Sequence, residues 1–326
     1  MKIRKWLGVV LCFIINPAFA DISERKDVQA FIQEMVKEHG FTEAEMTSAF
    51  KKVTINQSII DAMNRPAERT KQWYEYEPLF VTNAQAIAGV KFWKDNADAF
   101  AKAEKEYGVP PEIILAILGV ETRFGQNTGG FSVLTALSTL SFEYPRRSVF
   151  FTSELKEYFL LTREEGVDPA SLMGSYAGAM GTPQFMPSSY RRYAIDFDGN
   201  NKRDIWQSNT DVIGSVANYF KAHGWKAGEP VTFQANVSGD TYKDIPVNEI
   251  KPFISIAALK DKGITPREKI NLDPNELATL IQLKAKNDTE YWIGLNNFEA
   301  IMRYNPRVMY AMAVFELSQK IKELHG

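Results

Sequence analysis

The sequence predicts a mainly helical α+β protein that carries one small antiparallel β insertion. Two observations lead there. Apolar residues recur at helical spacing through most of the chain, and the pattern stops only between about residues 228 and 291. There, short β-branched and aromatic runs alternate with turn signals. A hydrophobic content of 45% is enough for a sizeable core, and 326 residues suit two or three domains.

Residues 1–20 come first and read as a leader. Lys2, Arg4 and Lys5 precede an apolar run from Trp6 to Ile15; Asn16-Pro17 breaks it, and Ala18-Phe19-Ala20 is a small-x-small cleavage site. Cleavage after Ala20 would start the mature chain at Asp21. Cys12 lies inside the apolar run, after Val10-Leu11 rather than a small residue, so it is not read as a lipid attachment site. Val28, Phe31, Ile32, Met35 and Val36 then follow helical spacing up to Gly40. Thr42-Glu43-Ala44-Glu45 is a capping box behind Phe41, opening a helix through Phe50 and Val53. After the break at Asn64-Arg65-Pro66, a long amphipathic helix is expected over 83–107. Pro110-Pro111 begins another, since proline fits the first helical turn. Further helices are expected over 148–161 and 211–223, the second stopped by Gly224. Within the insertion, Val231-Thr232-Phe233, Phe253-Ile254-Ser255-Ile256 and Ala278-Thr279-Leu280-Ile281-Gln282-Leu283 read as strand-like runs; helical pattern returns over 297–324.

Composition excludes several functions. The formal net charge is −2, and losing the leader removes three of the 38 basic residues and none of the 40 acidic ones, leaving −5. That balance argues against nucleic acid, which wants a basic face. The leader also takes the only cysteine, so the mature chain has no disulfide, cysteine nucleophile or thiolate zinc site. His39, His223 and His325 are too few and too scattered for a histidine-rich metal centre. No later stretch approaches the ~18 apolar residues of a membrane span.

Two segments carry chemistry. Ile113-Ile114-Leu115-Ala116-Ile117-Leu118-Gly119-Val120 has no polar side chain, so its helix should be buried nearly all round, with Glu121 directly at its end before Gly125. A carboxyl against such a wall has its ionised form disfavoured, which raises its pKa towards that of a general acid. A structural carboxylate paired with Arg123 or another base fits the same segment. The second segment is Gly174-Ser175-Tyr176-Ala177-Gly178-Ala179-Met180-Gly181-Thr182-Pro183-Gln184-Phe185-Met186-Pro187, where three glycines and two prolines hold an irregular backbone. It reads either as a tight connection between helices or as a loop whose amides approach a ligand. It is not a phosphate loop, because the Gly-Lys-Ser/Thr ending is missing.

Together these segments resemble the lytic murein transglycosylases of the membrane-bound B type, within the lysozyme-like superfamily. The resemblance runs on through Leu140-Ser141-Phe142-Glu143-Tyr144-Pro145-Arg146-Arg147, residues 211–225, Gly294-Leu295-Asn296-Asn297-Phe298 and Arg303-Tyr304-Asn305, nearly all of the mature chain. Thr182-Pro183 departs from what relatives often carry but leaves Gln184-Phe185 in place. The resemblance implies a lysozyme-like helical core and one catalytic acid/base, at the position of Glu121. It implies a cleft using Tyr76, Ser175, Gln184, Phe185, Tyr219, Tyr304 and Tyr310. Arg146 and Arg147 are candidates to meet carboxylates of the lactyl group or stem peptide. The implied partner is the peptidoglycan glycan strand, with no organic cofactor and a periplasmic location. The implied reaction cuts between N-acetylmuramic acid and N-acetylglucosamine and leaves a 1,6-anhydro end. A hydrolytic muramidase and a non-catalytic murein-binding scaffold are the competing functions.

A further motif, Asp196-Phe197-Asp198-Gly199-Asn200-Asn201-Lys202-Arg203-Asp204, places oxygen-bearing side chains at positions 1, 3, 5 and 9 of an EF-hand-like loop, with the Lys202 carbonyl at position 7. Asn201 stands for the usual glycine, and position 12 is Gln207 rather than glutamate. The resemblance supplies Asp211 as the closing ligand. A structural Ca²⁺ held by Asp196, Asp198, Asn200, Lys202 and Asp211 is one reading, and a solvated Asx-rich turn is the other. The domains expected are a 1–20 signal peptide, a 21–82 helical region, an 83–227 catalytic core containing the metal loop, a 228–292 β domain and a 293–326 helical segment that completes the cleft.

Overall fold

The computed structural model describes residues 21–65 and 71–326. The leader, its cleavage site and Cys12 lie outside the described residues, as does Pro66. Helix α1 (Lys26–His39) ends on Gly40 at φ 67°, and α2 (Glu43–Phe50) opens on both bonds of the Thr42–Glu45 capping box. The chain continues through α3 (Gln57–Asn64) and the short α4 (Trp73–Tyr76). The single helix expected over 83–107 is two: α5 (Asn83–Asp95) and α6 (Ala97–Tyr107). Asn96 breaks it at φ −130°, its side-chain amide donating to the Phe92 carbonyl, a local bond that competes with helix continuation.

The buried helix α7 (Pro111–Thr122) follows, with α8 (Val133–Glu143) and α9 (Ser148–Glu164) packed on each other beyond it. Ile113 to Leu118 are at most 2% exposed, because α14 (Val308–His325), α5, α6 and α11 (Asn209–Ala222) surround α7. Each Leu or Ile so buried contributes about 1.5–3 kcal/mol. Gly119 lets α14 come close, since a Cβ there would lie 3.0 Å from Leu317 Cδ2. The rings of Phe31, Phe50, Phe142 and Phe159 tie α1 and α2 to α8 and α9, so the first helices share the same large core. Short α10 (Pro187–Tyr193) is fastened to α9 by Glu154, which accepts from the Ser188 amide and hydroxyl.

A two-residue ladder pairs β1 (Phe131–Ser132) with β2 (Met173–Gly174). The insertion contains β3 (Thr232–Val237), β4 (Ile254–Ser255), α12 (Ile256–Asp261), β5 (Ile264–Pro266), β6 (Leu277–Lys284) and β7 (Thr289–Gly294). Its antiparallel sheet has the order β4-β6-β7-β3-β5. One sheet face, with Leu280 and Ile293, closes a small core with Leu259 of α12. The other, with Ile281 and Trp292, turns to the large helical core. The pattern over 297–324 resolves into α13 (Asn296–Tyr304) and α14, divided at Asn305-Pro306 because proline removes a donor and restricts the residue before it. Among the described residues no helix is long and apolar enough to cross a membrane.

Candidate active site

Glu121 sits in the last turn of α7, partly open to solvent but otherwise enclosed by protein. Its Oε1 accepts a 2.6 Å hydrogen bond from the Tyr310 hydroxyl of α14. Burial pushes the carboxyl up to about 7, and the Tyr310 bond, which favours the ionised form, opposes that rise. No ion pair joins Glu121 to Arg123 among the described residues. Arg123, Phe124 and Gly125 instead turn left-handed at φ 51°, 59° and 85°, and Arg123 is exposed. Among the described residues, the structural reading of this carboxylate therefore lacks its Arg123 partner.

Three tyrosines feel the Glu121 charge. Burial, and after it Glu121, pushes the Tyr76 phenol up to about 12 and raises Tyr304 and Tyr310 well above the usual range. Tyr304 stands at the end of α13, near the Tyr219 ring of α11 at 4.8 Å and the Phe185 ring at 6.0 Å. Phe185 and Tyr219 are 5.7 Å apart, and the Tyr219 hydroxyl donates to the Arg303 carbonyl. Elements distant in sequence thus place a ring cluster beside one carboxyl group.

The glycine-rich segment, which supplies Phe185, packs beside this group. Gly174 bridges Met180 and Met180 bridges Phe185, folding the loop back on itself. Gly129 lies against it at φ 96°, where a Cβ would come 2.1 Å from the Gly174 oxygen, so only glycine fits. Ser175 Oγ accepts from the Ala177 and Ala179 amides, which leaves its hydroxyl proton free to donate. Gln184, at φ 54°, donates its side-chain amide to the Thr128 and Gly181 carbonyls, which leaves its oxygen to accept. Thr122 was not legible as a site residue. Its buried hydroxyl donates 2.9 Å to the Thr182 carbonyl and accepts from the Gly125 amide, fixing the loop to the end of the Glu121 helix. The Tyr304 hydroxyl likewise donates to the Pro183 carbonyl. Both contacts at Thr182-Pro183 use backbone oxygens, so the unusual side chains there are compatible with the loop.

Arg146 and Arg147 are not drawn into this group. They occupy the exposed turn between α8 and α9, and the Arg147 guanidinium lies 4.4 Å over the Phe150 ring.

The EF-hand-like candidate loop is ordered by its own side chains. Asp196, Asp198 and Asn200 accept from backbone amides two to five residues on, and Asn201 takes the left-handed turn at φ 67°. Asp211 is fully buried, one carboxylate oxygen accepting from the Phe197 and Asp198 amides and the other from Asp204. Burial pushes this carboxyl up, against those three bonds. One oxygen each from Asp196, Asp198 and Asp211 lies within 4.8 Å of the others, a spacing and donor set that fit a hard divalent cation.

Residues 23–319 match the Transglycosylase SLT domain family. Membrane-bound lytic murein transglycosylase B of Escherichia coli strain K12 is 41% identical over 310 residues, covering 92% of this chain and 84% of that protein. The solved structure of catenated lytic transglycosylase SltB1 from Pseudomonas aeruginosa superposes with a TM-score of 0.90 at 48% identity, covering 94% of this chain and all of that one. That of the Escherichia coli lytic transglycosylase Slt35 in complex with calcium gives 0.85 at 41%, covering 94% of this chain and 95% of that one. With nearly its whole length matched, one carboxyl set at the end of a buried helix and a cluster of aromatic rings beside it, this chain belongs to the Transglycosylase SLT domain family.

Proposed function

We propose that this chain is an exported, periplasmic lytic murein transglycosylase in which Glu121 alone serves as acid and base. The observation that carries the reading is the Glu121 carboxyl, held near a pKa of 7 by burial and touched by Tyr310, with no second carboxylate among the described residues perturbing it. Most glycosidases need two carboxyl groups, one as acid and one to activate water or attack. A single group suffices when the nucleophile belongs to the substrate.

Protonated Glu121 donates its proton to the glycosidic oxygen between N-acetylmuramic acid and N-acetylglucosamine. The bond from that oxygen to the muramyl C1 breaks, and the positive charge growing on the ring is met by the newly formed carboxylate and by the sugar's own acetamido group. The muramyl 6-hydroxyl oxygen then bonds to C1 while its proton passes to Glu121. A 1,6-anhydro ring results, the acid is regenerated, and water is not consumed. Half-buried Tyr304 presents its ring to a sugar face, with the buried rings of Tyr219 and Phe185 packed against it and buried Tyr76 near the carboxyl; the Ser175 hydroxyl donates and the Gln184 oxygen accepts at the N-acetyl groups. Arg146 and Arg147, on their exposed turn, belong to an outer stem-peptide contact.

The loop holds a structural Ca²⁺ through the Asp196, Asp198 and Asp211 carboxylates, the Asn200 side-chain oxygen and the Lys202 carbonyl. The Slt35 complex with calcium is a precedent in a relative. The bound ion would neutralise carboxylates that otherwise repel.

Glu121→Gln tests the reading. Release of soluble fragments from purified sacculi should fall by at least about a hundredfold, the usual scale of general acid catalysis, with the circular dichroism spectrum and sacculus binding retained. Undiminished release would remove Glu121 from its role.

A further inference from the structure

A second cavity, of about 730 Å³, opens where the β sheet meets the helical core. Its size falls within the range of about 300–1,000 Å³ usual for ligand sites. It shares no residue with the Glu121 group. Glu112 and Ile113 at the start of α7 line it, nine and eight residues from Glu121, or roughly 12–14 Å along the helix.

Its walls combine rings with hydrogen-bonding groups. Trp292 of β7 and Gln234 of β3 are cross-strand neighbours on the sheet face that turns to the helices. Phe315 of α14 meets Trp292 at 6.1 Å and 76°, and both rings are only half-buried. Exposed Gln319, one turn along α14 from Phe315, completes that wall. The charges favour an uncharged occupant. Glu104, Glu112, Glu229 and Glu268 line the cavity against Arg267 and Lys322. Lys322 is held 2.8 Å from buried Glu112, and Arg267 donates to the Gln234 side-chain oxygen at 2.9 Å. Lys226 stands 3.3 Å from Glu229, so among the described lining residues Glu104 and Glu268 are set against the Arg267 guanidinium alone; that balance disfavours an anion such as a phosphate or a carboxylate-bearing stem peptide, while the carboxylates accept well from hydroxyl groups. Half-buried rings offer flat apolar surface to the C–H faces of a sugar.

We infer that this cavity is a secondary binding site for N-acetylated sugars of the glycan strand, holding the enzyme on murein away from the bond it cuts. The assignment rests on the proposed murein substrate. Two binding positions on one chain raise the effective concentration of the strand at the catalytic cleft.

Calorimetric titration of the full-length mature Glu121→Gln protein with the N-acetylglucosamine tetramer tests it. Two equivalents should bind. Trp292→Ala, and Gln319→Arg at an exposed position that leaves the core untouched, should each weaken one of the two at least tenfold. With Glu121 restored, both variants should digest sacculi several-fold more slowly at limiting enzyme and turn over short soluble muropeptides unchanged. One equivalent in the parent protein, or two undiminished equivalents in both variants, overturns the inference. So does capture of a sugar-free stem peptide at this cavity in place of the tetramer. Failure of the proposed function shows separately, as sacculus cleavage that survives Glu121→Gln.

Discussion

At the scale of a residue, the proposed reaction requires Glu121 to keep its proton at a pH where an ordinary carboxyl has lost it. A group whose pKa rises to about 7 on folding holds a proton that the unfolded chain releases at lower pH. Its ionisation therefore costs stability as pH climbs from the ordinary carboxyl range to 7, the consequence of a burial that creates the acid. With Glu121 as the proposed acid, kcat/KM should decline on the alkaline side with an apparent pKa of about 7. Tyr310→Phe removes the bond that favours the carboxylate, so the alkaline limb should move to higher pH while kcat falls. A limb that stays in place or moves down contradicts the arrangement. The apolar run before Glu121 made a raised pKa legible in the sequence. The Tyr310 contact was not legible from the residues alone, because it closes over 189 positions. Thr122 was hidden for a similar reason, since a threonine at a helix end advertises nothing about a carbonyl sixty residues away.

At the scale of an element, local signals were read well where local bonds decide. The Thr42–Glu45 box and the Gly40 and Gly224 stops all stand where the sequence placed them. The 83–107 pattern concealed the break at Asn96, because apolar spacing carries across a single capping residue. In the candidate metal loop, Asn201 takes the left-handed turn of the customary glycine at φ 67°, and Asp211 accepts from three backbone amides. An ion that binds only the folded chain stabilises it by about 2.7 kcal/mol at a hundred times its Kd. Millimolar Ca²⁺ should accordingly raise Tm by several degrees over chelated protein, and Asp196→Ala should abolish the rise. An unchanged Tm in Ca²⁺ would leave the loop an Asx-rich turn.

At the scale of the molecule, the chain brings carboxyl groups together from segments that no sequence pattern connects. Burial, followed by the nearby charges of Glu77 and Glu290, pushes Glu316 of α14 up to about 8, with Lys320 opposing. Folding therefore favours the protonated form, and this stabilising preference is lost as pH rises through 8. Glu316→Gln should raise Tm at pH 8.5 and change it little at pH 4; the reverse order would contradict that placement. The large core likewise joins segments from Ile22 to Ile321, whereas the insertion keeps a small cluster of its own. The mainly helical class and the β insertion were legible because periodicity survives in short windows. The meeting of α7, α13, α14 and the glycine-rich loop around one carboxyl was reached through family resemblance, since it is a property of packing across the whole chain. The most direct measurement of the central claim is the mass of the muropeptides released from sacculi by the wild-type protein. Fragments one water lighter than their reducing counterparts, with 1,6-anhydromuramic ends, are the result expected of a lone acid/base using the sugar's own hydroxyl. Reducing muramic acid ends would show that water attacks, and would contradict it.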